Sequence, residues 1–280
     1  MRVFLWTILL IFFIGCGQKN MLIKPLKRVA LVIGNQNYKH EDTLKNPIND
    51  AKAMAQKLKK LNFHVIDGYD ISSKEFTLLL ENFQQQLDSD TIAFFYFAGH
   101  GNTLQPSSIE SYLLMNGEKQ ETLVSIYKLY DYLWKGKAKY NLICLDACRN
   151  YRPSSELEKD RKVVFRGGRL SFANLEKLKI KVEKHKLLNA PDNTLTIYAT
   201  RVNEGANDES LIDSTHSPFT RVLLKHLDEE GVSFIEVLRR VRKDMNQELN
   251  GKQRSSEMGD LSDYIFLNPK KGDRPLIGSF

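Results

Sequence analysis

The sequence predicts an α/β protein with a doubly wound, mainly parallel sheet flanked by helices. Three observations carry this. Continuous apolar runs of strand length, such as "KRVALVI" at 27–33 and "TIAFFYFAGHG" at 91–101, suit strands covered on both faces. Stretches with apolar residues at helical spacing lie between them. Strand and helix therefore alternate along the 280 residues, a length that fits one large α/β domain or two small ones.

The elements follow in order. After the strand at 27–33 comes a polar loop, "GNQNYKHEDTLKN". Asn46-Pro47 then opens a helix, Asn as the cap and Pro in the first turn. Its buried face is Ile48, Ala51, Met54, Ala55, Leu58 and Leu61. "FHVIDGY" is the next strand. Ser72 with Glu75 forms a capping box for a second helix, which buries Phe76, Leu79, Leu80, Phe83 and Leu87. The strand at 91–101 stops at two glycines flanking His100. "ESYLLMNG" reads as a short extra strand, "SIYKLYDYLWKG" as a helix ended by Gly136, and "YNLICLDAC" as another buried strand. Then come the strand "TLTIYAT", the helices "SPFTRVLLKHLDEE" and "SFIEVLRRVRKDMNQEL", and the strand "DYIFLN".

Residues 151–193 break the pattern, being charged, uneven and longer than an ordinary loop. The basic run within them, "LEKLKIKVEKHK" at 175–186, reads either as a helix with an exposed charged face or as a mobile insert. The formal charge of +7 is scattered and interleaved with acids. With no base-reading motif and no aromatic-plus-basic platform, it reads as a solvated basic surface, and nucleic acid is not an expected partner.

At the N-terminus an apolar run extends from Val3 to Ile14. It is shorter than the roughly 20 residues a transmembrane helix needs, and has the length and flanks of a secretory signal. It ends at Gly15-Cys16 and resembles a bacterial lipoprotein signal peptide, with Phe13 standing where Leu is more usual. The resemblance implies a signal peptide at 1–15, a lipid on Cys16, a linker at 16–26, and export to the cell envelope on the periplasmic side of a membrane. Cys144 and Cys148 remain. Their spacing is not CxxC, no His or Cys set surrounds them for a metal, and a disulfide so close along one strand is geometrically awkward. Both are expected as free thiols, which in an exported protein invites a catalytic explanation.

In open α/β sheets, sites lie at the carboxyl ends of strands. One such end delivers His100 between Gly99 and Gly101; another delivers Cys148. Alternation puts Cys144, Asp146 and Cys148 on one face. Cys144 lies deeper and reads as core, Cys148 at the exposed end. A neighbouring imidazole promotes formation of the reactive thiolate. His40, His64, His185, His216 and His226 read as structural or solvated.

"RVALVIGNQNY", "LKNPINDA", "FFYFAGHG", "CLDACRN" and "SPFTRVLLKHL" together resemble the caspase–metacaspase superfamily of cysteine peptidases, over about 27–267. The likeness is strongest to the bacterial metacaspase-like (orthocaspase) type. It implies a caspase-like (caspase–haemoglobinase) fold with a six-stranded sheet over 27–268 and a C-terminal tail at 269–280. It also implies an endopeptidase in which Cys148 attacks the scissile carbonyl, His100 moves the proton, and the N–H groups of Gly101 and Cys148 form the oxyanion hole. Asp146 and Asp50 match the acids that line the S1 pocket, so the expected substrates are proteins or peptides with Arg or Lys at P1. No cofactor or bound metal is expected, and the sequence leaves calcium activation open. Family members often cut themselves after the catalytic cysteine, which makes Arg161, Lys162, Arg166 and Arg169 candidate processing sites. Two alternatives stand beside this reading: a catalytically silent, membrane-anchored interaction module of the same fold, and a peptidase of the legumain–gingipain type.

Overall fold

A computed structural model describes residues 25–104, 110–149, 180–202 and 204–270. Cys16 and the candidate processing sites Arg161, Lys162, Arg166 and Arg169 lie outside these residues. The elements in chain order are β1 (Lys27–Gly34), α1 (Pro47–Lys60), β2 (His64–Tyr69), α2 (Ser73–Gln85), β3 (Thr91–Ala98), β4 (Gly101–Asn102), β5 (Tyr112–Met115), β6 (Thr122–Ser125), α3 (Ile126–Gly136), β7 (Tyr140–Asp146), β8 (Lys181–Glu183), β9 (Thr194–Tyr198), α4 (Pro218–His226), α5 (Phe234–Glu248) and β10 (Ser256–Gly259).

The main sheet has six strands in the order β10-β9-β7-β3-β1-β2. All its pairings are parallel except β9 with the edge strand β10. Successive residues of a strand point to opposite faces, and β3 is buried along its whole length. Phe94 therefore joins a core with Met54, Leu58, Phe219, Phe234 and Val241 from α1, α4 and α5. Phe95 joins another with Phe76, Leu80, Phe83, Leu129 and Leu133 from α2 and α3. Helices on both faces are what parallel crossovers produce. A second, four-stranded sheet, β4-β5-β6-β8, stands beyond the carboxyl end of β3.

The capping box forms as read: Ser72 Oγ accepts from Glu75 N–H, and the Glu75 carboxylate accepts from Ser72 N–H. Several local expectations are corrected. Asn46 sits at the N-cap of α1 without a side-chain cap bond. Its amide instead donates to the Asp208 carbonyl at 2.7 Å. The helix α3 ends at Gly136 as expected, and the left-handed residue that follows is Lys137, at φ 55°. A Cβ on Gly136 would lie 2.7 Å from the Leu87 side chain; close packing explains this glycine. "DYIFLN" is not a strand; it carries only isolated bridge residues at Tyr264 and Phe266, the latter paired with Ser233. Ile265 and Leu267 are buried by packing, and the backbone carbonyls of Leu61 and Leu267 accept from Arg28 at 2.6 and 2.8 Å. The sixth strand is β10, "SEMG". Within 175–186, the described part is neither helix nor loose insert. Lys181–Glu183 pairs in parallel with β6, Val182 opposite Leu123.

Candidate active site

Strands β3 and β7 are neighbours, with Ala98 opposite Asp146. The ladder runs one step further, Gly99 N–H donating to the Asp146 carbonyl at 3.2 Å. Each chain then leaves its strand carrying a reactive side chain two residues on, His100 from β3 and Cys148 from β7. Glycine is required where these chains pass: a Cβ on Gly101 would lie 2.7 Å from Ala147 Cβ and 2.9 Å from the Cys148 carbonyl.

His100 is fully buried and held on several sides. Its backbone N–H donates to Tyr38 Oη at 3.0 Å, and its ring lies 4.7 Å from the Tyr38 ring, centroid to centroid. Its Nε2 stands 2.7 Å from the Asp42 carbonyl. A carbonyl only accepts, so Nε2 bears the proton and, in the neutral ring, Nδ1 carries the lone pair. The 35–44 loop thereby fixes both the orientation and the tautomer of the imidazole.

Cys144 and Cys148 are both free thiols on the same face of the sheet. Cys144 lies inside β7, where burial, with the Asp146 charge behind it, pushes its thiol well above the ordinary range. Cys148 lies past the strand end as expected, but it is not exposed. Its relative exposure is 1%, because the segment leading into α4 crosses it and Ala206 N–H donates to its Sγ at 3.0 Å. The next residue, Arg149, packs its guanidinium 3.7 Å from the centroid of the Tyr198 ring. Desolvation lowers its pKa, with Tyr198 and Tyr130 opposing. Arg149 ties the turn after Cys148 to the end of β9.

The two acids meet at the start of α4. Asp146 Oδ2 accepts from Ser217 Oγ and Thr220 Oγ1, both at 2.5 Å. Asp50, in the first turn of α1, accepts from Ser217 N–H at 3.4 Å and faces His216 Nδ1 at 2.7 Å. Both carboxylates are fully buried. Ser217, the N-cap of α4, thus binds one acid with its hydroxyl and the other with its backbone. Tyr96 Oη extends the network to Thr220 at 2.5 Å. A buried carboxylate is tolerated when it is hydrogen-bonded in this way.

A family model described as the caspase domain, of the peptidase C14 group, matches residues 27–266. The chain belongs to the caspase-domain family. It is also 28% identical over 123 residues to the human mucosa-associated lymphoid tissue lymphoma translocation protein 1, covering 44% of this chain and 15% of that protein. The mouse homologue is 27% identical over 135 residues, covering 47% and 16%. The aligned part is thus less than a fifth of the length of either relative. A caspase-domain chain is a cysteine peptidase at the level of its family.

Within this caspase domain His100, Gly101, Cys148, Asp146 and Asp50 gather at the carboxyl edge of the sheet. Sequence reasoning missed Asp42, Ala206, His216 and Ser217. Asp42 and Ala206 act through backbone atoms and leave no residue-type signal. Ser217 was legible only as a helix cap before Pro218. His216 read as an ordinary loop histidine, because its partner is 166 residues away in the chain. Among the described residues no helix is long and apolar enough to cross a membrane.

Proposed function

We propose that this caspase-domain chain is a cysteine endopeptidase that cleaves after Arg or Lys. The observation that carries the reading is the delivery of His100 and Cys148 by adjacent strand ends, beside two buried carboxylates. Cys148 passes its proton to His100 Nδ1, and Sγ attacks the scissile carbonyl carbon. The N–H groups of Gly101 and Cys148 receive the developing oxyanion; one such donor is typically worth about 3–4 kcal/mol of barrier. His100 returns the proton to the leaving amine, and water then hydrolyses the thioester. Asp50 and Asp146 supply negative charge for a P1 guanidinium or ammonium.

The test is a fluorogenic panel with Arg, Lys and Asp at P1, run with and without calcium. Turnover of the Arg and Lys peptides is expected. A preference for Asp overturns the specificity, and no turnover of any peptide by folded protein overturns the activity in favour of a silent interaction module. Lipid attachment at Cys16 and residence at the periplasmic side of a bacterial membrane complete the proposal, supported by the short apolar run that ends at Gly15-Cys16.

A further inference from the structure

The segment from Glu204 to Ser217 touches Cys148, Asp50 and Asp146. Ala206 N–H bonds the nucleophile's sulfur. Asp208 holds the entrance to α1, accepting from Lys45 N–H at 2.6 Å and, through its carbonyl, from Asn46 at 2.7 Å. Ser210 N–H donates to the His216 carbonyl at 2.8 Å, closing the loop on itself. His216 then lays Nδ1 on Asp50 Oδ1 at 2.7 Å; the His216 side chain is 21% exposed and that of Asp50 is wholly covered. A ring nitrogen facing a carboxylate oxygen at this distance donates an N–H. The same bond is what a P1 guanidinium or ammonium would offer.

Among the described residues, the outer side of His216 offers a cation no partner. It borders a depression of about 340 Å³ lined also by Lys57, Lys60, Arg221 and Lys225 and by no acid; the carboxylates of Asp228, Glu248 and Asp244 nearby are already paired with Lys57, Arg221 and Lys225. A basic P1 side chain therefore reaches Asp50 from the Cys148 side, under the segment, and has to take the place of the imidazole.

We propose that His216 is a specificity-determining residue that occupies the P1 subsite in the closed state, so that substrate binds by displacing it from Asp50. This rests on the proposed preference for basic P1. Apparent affinity is the intrinsic affinity reduced by the fraction of molecules in which the subsite is open, so the effect falls on KM. His216→Ala lowers KM for an Arg peptide by about ten-fold, the scale of one charge-assisted hydrogen bond, and kcat does not fall. His216→Arg places a permanent cation there and raises KM by a similar factor. Calorimetric titration of argininamide into the Cys148→Ala protein gives an independent readout, tighter with His216→Ala added and weaker with His216→Arg.

Thermal melts accompany each variant. Where the Ala variant does not fold, His216→Leu, which fills space without donating, carries the comparison with the same expected direction. Retained Arg preference with unchanged KM and unchanged argininamide affinity across the variants overturns the role of His216 alone. A wild type that does not prefer Arg or Lys overturns the specificity on which it rests.

Discussion

Two thiols four residues apart on one face of a strand have opposite fates. Cys144 is sealed in the core with its ionisation suppressed by burial, whereas Cys148 lies past the last pair of the ladder, where the chain turns. Cys148→Ala should abolish hydrolysis and labelling by a thiol-reactive substrate analogue, and Cys144→Ala should leave activity and cost only stability. Equal loss of activity from both, in folded protein, would reverse the assignment. Asp146→Asn should raise KM for an Arg peptide by the equivalent of about 1.5–3 kcal/mol. Because Asp146 also accepts from Ser217 and Thr220, it should lower the melting temperature as well. An unchanged KM would remove Asp146 from the subsite. His100 and Cys148 were legible because each stands at a recognisable strand end, whereas Asp146 and Asp50 were legible only through the family resemblance. The cover on Cys148 was not, since it depends on a contact between segments 58 residues apart.

Elements with a local signature were read well, and those held by long-range packing were not. The Ser72–Glu75 box is written in four consecutive residues and forms as read. "DYIFLN" has a strand's composition, but the Arg28 guanidinium already engages its backbone carbonyls, and the sheet edge goes to "SEMG". β8 was hidden in a basic run because strand pairing, not apolar periodicity, defines it. The box has a pH consequence. The Ser72 N–H holds the Glu75 carboxyl below its ordinary range. A carboxylate depressed in the fold stabilises above its unfolded pKa and loses that contribution as pH falls through the folded value. Ser72→Ala should cost about 1 kcal/mol at neutral pH. Glu75→Gln removes the carboxylate itself, and its melting temperature should converge with that of the wild type as acid protonates Glu75; a gap that persists at all pH values would assign the loss to something other than the box.

At the scale of the whole molecule, the parts on either side of 151–179 share one framework. β9 inserts between β7 and β10, and β8 pairs with β6. A cut at Arg161, Lys162, Arg166 or Arg169 should therefore leave two fragments that co-elute. Incubating wild type beside Cys148→Ala and sequencing new N-termini tests this. Cuts in both proteins would point to a contaminating protease, and none in an active wild type would remove processing from the mechanism. Lipidation of Cys16 predicts that Cys16→Ser loses labelling by radioactive palmitate in the host. An intact mass beginning at an unmodified Met1 or Met21 would count against it.

The polarity of the parallel strands also sets a direction in space. β1 enters the sheet at Lys27, at the end opposite the edge where β3 and β7 release His100 and Cys148. A lipid on Cys16 would be joined to that entry by residues 16–26, at most about 40 Å of extended chain. The domain would hang from the bilayer by its blunt end, with the cutting edge turned outward. Its reach would then be toward loops and tails that stand off the membrane, and lipid-embedded segments would be out of range. A fluorophore on Cys148 should accordingly escape a quencher confined to the headgroups, whereas strong quenching would mean that the domain lies over on its side.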